Sequence, residues 1–151
     1  MGWKRRMREE GGQGLVELAL GITVLMLLVM GIADLGRAYF TYVALGNAAG
    51  EGAAYGSFYP SCSFAYSGAS CADPDNVDYR TRHESQQGFI DTSQITSVDI
   101  ELSDPVYPSL GDTITVTVQY NYDWLTPFFS SFTGQASMQL QARAVQPVRS
   151  N

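Results

Sequence analysis

The residues from Leu15 to Ala33 read LVELALGITVLMLLVMGIA, apolar or small throughout except for Glu17 and Thr23. At 1.5 Å rise per residue, this stretch forms a helix of roughly 28 Å, about one hydrocarbon core. No proline follows until Pro60, so the same helix is expected to continue through residues 34–57. Asp34 and Arg37 stand three apart there and can pair on one face. Tyr39, Phe40 and Tyr42 suit an interfacial aromatic belt. Beyond Pro60 the pattern changes. Residues 78–90 fit a short helix, with Tyr79, Arg82, His83 and Gln86 in one stripe and Gly88 weakening its end. Three runs then alternate with period two. Val98, Ile100 and Leu102 form the apolar side of the first. Ile114, Val116, Val118, Tyr120 and Tyr122 form that of the second, and Met138, Leu140, Ala142 and Ala144 that of the third. One apolar and one polar face predict an antiparallel sheet covered on one side, with the helix of residues 34–57 as its cover. The expected class is α+β: a long N-terminal transmembrane helix continuing into a small domain packed on a three- to four-stranded antiparallel sheet.

Charge adds a direction. Residues 1–12 hold four basic residues (Lys4, Arg5, Arg6, Arg8) against two acidic ones, and the next basic residue is Arg37. That asymmetry predicts the N-terminus on the cytoplasmic side and the rest outside. The remainder carries five basic and thirteen acidic residues, which brings the whole chain to a net −6. So acidic a surface argues against nucleic-acid binding. Aromatics at 12% argue against disorder. The mean hydropathy of −0.07 averages an apolar span with a polar, acidic remainder. A buried core helix or a cleaved secretory signal are the competing readings of the span. The first needs a larger protein around it. The second is disfavoured because the run exceeds the usual apolar region of about 7–15 residues.

Glu17 is the anomaly within the span. A carboxylate inside a bilayer costs on the order of 2.5–3.5 kcal/mol at the centre and less near an end. One reading is an interfacial, snorkelling side chain. The other depends on its context, Gly11-Gly12-Gln13-Gly14-Leu15-Val16-Glu17. A basic leader, a glycine and a glutamate five residues on resemble a type IV prepilin. Cleavage after Gly12 would make Gln13 the first residue, with a charged α-amine. In a bundle, Glu17 can neutralise such an amine on a neighbour, where low dielectric strengthens the pairing. In the free monomer it can serve its own helix start.

The segment resembles the N-terminal region of TadE-like proteins, pseudopilins or minor pilins of tight-adherence (Flp-type) pili. The resemblance rests on Gly12-Gln13, Val16-Glu17, Ala19-Leu20, Asp34 with Gly36-Arg37, the aromatics Tyr39, Phe40 and Tyr42, Asn47-Ala48-Ala49 and Glu51-Gly52-Ala53. Leu18 replaces a common Phe, and Gly50 and Ala54 stand where basic residues are usual. The resemblance implies a prepilin peptidase as processing enzyme, other pilin or pseudopilin subunits and the pilus-assembly machinery as partners, and assembly rather than catalysis. It implies a single-pass protein of the inner (cytoplasmic) membrane, incorporated in an extracellular pilus. The expected divisions are a leader over 1–12, a membrane-spanning and amphipathic helix over 13–57, and an extracytoplasmic domain over 58–151. The competing function is an uncleaved bitopic protein with an extracytoplasmic binding or sensor domain.

Several features remain open at this level. Gly46 and Gly50, like Gly52 and Gly56, repeat at helical spacing, and glycine costs about 1 kcal/mol in an exposed helix. Small residues permit close approach, either by the chain's own domain or by a partner subunit. Cys62 and Cys71 enclose eight residues, and an exported location favours a disulfide over a metal site. Asp73, Asp75 and Asp78 fall short of a calcium loop, since Val77 occupies a ligand position. The segment DWLTPFFSSFTGQ is unusually apolar for a loop. It either completes the core over the open end of the sheet or forms a sticky tip for a partner or the outer leaflet. His83 is the only histidine, and no P-loop, HExxH, CxxC or nucleophile elbow occurs, so neither an enzyme nor a cofactor is expected.

Overall fold

The computed structural model describes residues 3–63, 71–87, 90–106 and 108–149, with the side chains of 3–11, 86, 87, 128 and 132 set aside. Its elements are α1 (Trp3–Phe58), α2 (Val77–Gln87), β1 (Ile95–Leu102), β2 (Thr113–Asp123), α3 (Pro127–Thr133) and β3 (Ser137–Pro147). The expected class stands: a long apolar helix is followed by a small domain with an antiparallel sheet. The sheet has three strands in the order β1-β2-β3.

Contacts divide the chain into two compact units. The larger runs from Arg37 to Asp123 and resumes at Ser137. Its centre is β2, paired with β1 through Val98↔Val118 and Ile100↔Val116, and with β3 through Val118↔Ala142 and Tyr120↔Leu140. The alternation read from the sequence sets which face is covered. Ile114, Val116, Val118, Tyr120 and Tyr122 are all buried. Onto them packs the far part of α1, whose buried residues Leu45, Ala48, Ala49, Gly52, Ala53 and Gly56 recur every three or four positions. β1 begins at Ile95, three residues before the expected Val98, and a bulge between Ile95 and Ser97 absorbs the irregularity.

α2 matches the expected short helix. Its start is fixed by Asn76, whose Oδ1 accepts the Tyr79 N–H at 2.7 Å, an N-cap that the sequence reading did not identify. Gly88 and the residue after it lie outside the described residues. Thr81 and Ser85 are fully buried on α2, and each hydroxyl donates to a carbonyl one turn back, of Val77 and Thr81 respectively. Buried hydroxyls are tolerated here because none lacks a partner.

The smaller unit comprises α1 up to Gly36 together with Trp124–Ala136. α1 begins at Trp3, ahead of the expected boundary at 12/13, so leader and span form one continuous helix. Glu17 therefore does not sit at a helix start in the uncut chain. Its Oε1 accepts from the Gln13 side-chain amide at 3.0 Å, one turn earlier.

Candidate functional site: the span, its exit and the glycine turns

From Gly12 to Met30 every residue of α1 is exposed. Leu15, Leu20 and Leu28 leave 60% or more of their surface uncovered, and Val24, Leu25 and Met26 more than half. Burying a Leu, Ile, Val or Met side chain is worth about 1.5–3 kcal/mol. A helix this apolar on all sides needs lipid or other subunits around it. It is the one described helix long and apolar enough to cross a membrane.

At the end of the span, Asp34 is fully buried. Its carboxylate accepts the Leu125 N–H at 2.9 Å, the Thr126 N–H at 3.1 Å and the Thr126 hydroxyl. Those donors stand just ahead of α3, which opens on Pro127. Burial of a carboxylate is costly unless it is hydrogen-bonded, and these contacts supply the bonds. Arg37, within the larger unit, lies over the Tyr122 ring at 5.1 Å and donates to the Asp123 carbonyl.

Trp124–Ala136 groups with the first part of α1. Phe129 lies 3.9 Å from the point where a Cβ on Gly31 would stand. It stacks on Trp124 at 4.7 Å. α3 ends at Gly134, whose positive φ of 73° closes the helix with its N–H on the Ser130 carbonyl.

The glycine turns split in two. A Cβ on Gly52 would fall 2.0 Å from Thr81 Oγ1, and one on Gly56 2.2 Å from Ile114 Cδ1. These glycines let α2 and β2 approach α1. A Cβ on Gly46 or Gly50 would meet nothing within 4 Å. The same spacing thus serves internal packing in one pair and leaves the other pair open.

Cys62 and Cys71 form a disulfide. The acids that follow each have a separate partner: Asp73 accepts from the Asn76 amide, Asp75 pairs with Arg80, and Asp78 with Arg82. His83 stacks on Tyr79 with centroids 5.7 Å apart, lining an open hollow with Asp73, Asp78 and Arg82. No nucleophile is aligned with it among these contacts. Gly12 and Gln13 lie on exposed helix.

A single apolar helix leading into a small helix-and-sheet domain defines a class, the membrane-anchored α+β protein. The comparison with protein families makes this more specific. Residues 12–54 match the family described as TadE-like protein. The matched stretch runs from Gly12 to the glycine turns and includes Glu17 and Asp34. The match covers less than a third of the chain and points to a pilus-associated protein. No curated protein and no solved structure matches the chain.

Proposed function

We propose that this chain is a pseudopilin or minor pilin of a tight-adherence (Flp-type) pilus. It is inserted with its N-terminus in the cytoplasm, trimmed after Gly12 by a prepilin peptidase, and passed from the inner membrane into the pilus or its base. The observation that carries this reading is the TadE-like match over 12–54 on a helix with no protein cover from Gly12 to Met30. Glu17 is the residue through which the trimmed subunit engages its neighbours: once Gln13 carries a free α-amine, the carboxylate one turn on is placed to pair with such an amine across subunits. Gly46 and Gly50 supply the close-approach face. The three divisions of the chain are then a removable leader (1–12), an assembly helix (13–57) and an exported domain (58–151).

The second reading is an uncleaved bitopic protein with an extracytoplasmic binding or sensor domain. It is favoured by the unbroken helix from Trp3 and by the Gln13–Glu17 hydrogen bond, which satisfies Glu17 without any cut. Gly12→Ala separates the two. On the pilin reading the variant accumulates at full length and piliation falls. On the bitopic reading it matches the parent in length and in piliation.

A further inference from the structure

We propose that Trp124–Ala136 is a second membrane contact, an anchor lying in the headgroup layer of the leaflet distal to the N-terminus, beside the exit of the span. The inference rests on the membrane-spanning reading of residues 15–33 and adds a second lipid-facing element to it.

Level is the first argument. Phe129 meets α1 at Gly31, and Leu125 and Thr126 meet it at Asp34. Gly31 lies sixteen residues beyond Leu15, which is roughly 24 Å along the helix and close to the far edge of a hydrocarbon core of about 30 Å. Composition is the second. The segment WLTPFFSSFTGQA carries no charged residue and holds one Trp, one Leu and three Phe. Leu125 is 65% exposed. Aromatics of this kind concentrate at membrane–water interfaces.

Near lipid, unsatisfied N–H and O–H groups are expensive. Here Asp34 takes the Leu125 and Thr126 N–H groups just ahead of α3, the Ser130 hydroxyl donates to the Pro127 carbonyl, and the Thr133 hydroxyl to the Phe129 carbonyl. The segment keeps its hydrogen bonds internal while presenting apolar surface, as an interfacial helix does. That surface is continuous with the exposed apolar helix, which favours lipid as its occupant. In this arrangement Asp34 is a positioning residue that holds the anchor at the membrane exit.

The test uses the full chain in phosphatidylethanolamine–phosphatidylglycerol vesicles. Trp3→Phe leaves Trp124 as the sole tryptophan. Its emission should be quenched roughly twofold more by lipids labelled near the headgroup than by lipids labelled near the bilayer centre, with little quenching by aqueous iodide. Asp34→Asn should weaken the shallow quenching. A control with Trp3→Phe, Trp124→Phe and Leu25→Trp reports on the span itself. If iodide quenches Trp124 and shallow lipid labels do not, while the Leu25→Trp probe is quenched by deep labels, the anchor is wrong and the span stands. If neither probe is quenched by lipid, both fail. Shielding of Trp124 that vanishes as protein is diluted in lipid identifies a second copy as the occupant and also overturns the proposal.

Discussion

One helix meets two environments. Along Gly12–Met30, α1 has no buried residue, whereas along Leu45–Ser57 burial recurs every three or four positions. The first stretch is apolar around its circumference, so no single protein face could have satisfied it. The second carries small residues on one stripe only, and that stripe lies on the sheet and α2. Hydrophobicity alone does not tell a helix where to go. Its distribution around the axis does, and it assigns one stretch to lipid or neighbouring subunits and the other to the chain's own core.

This contrast can be broken at its covered end. The largest effect is expected from Cys62→Ser with Cys71→Ser. Closing so short a loop contributes about 2–3 kcal/mol through the unfolded chain, and its loss should lower the denaturant midpoint of the sheet domain. The span should insert as before, which a flotation assay checks.

Next comes Gly52→Ala. Its Cβ would strike Thr81 Oγ1, a short β-branched side chain with little room to move. Overpacking costs about 1–3 kcal/mol, of which the better helix propensity of alanine returns about 1. Thermal unfolding should therefore show net destabilisation. Gly46→Ala and Gly50→Ala point the other way. Each should stabilise the isolated chain by up to about 1 kcal/mol, since the added methyl meets open space. If that face packs against neighbours, the same stabilised variants should lose piliation. Stabilised variants with normal piliation would remove Gly46 and Gly50 from the assembly face.

The smallest effect concerns the β1–β2 turn. Hydrogen bonds from the Ser109 N–H and hydroxyl, with a lesser one from the Ser103 hydroxyl, hold the Asp112 carboxyl below its ordinary range. A carboxyl with a lowered folded-state value contributes stability that is present above the unfolded value, about pH 4, and lost as pH falls through the folded one. Chemical denaturation of the parent should weaken across that acid window. Asp112→Asn should flatten part of the slope while leaving stability at pH 7 only slightly changed.

Much of the fold was legible because it rests on local periodicity. β2 alternates over its length, and the absence of proline up to Pro60 carried the helix to its observed end. What escaped depends on distant partners. Asp34 takes N–H donors ninety-one and ninety-two positions away, just ahead of α3, which no local spacing announces. The aromatic segment left a lid on the sheet and a sticky tip both open, because its composition does not say which surface it meets. The two glycine pairs have the same spacing, and only the position of Thr81 and Ile114 separates them. Asn76 could have been found from its place just before Val77, since asparagine is a favoured N-cap.

The central claim, that the chain is a processed pilin-like subunit, is tested most directly by intact-mass measurement of the protein from cells with an active prepilin peptidase. The mature chain should begin at Gln13, with residues 1–12 gone. A chain that still begins at Met1 would contradict it.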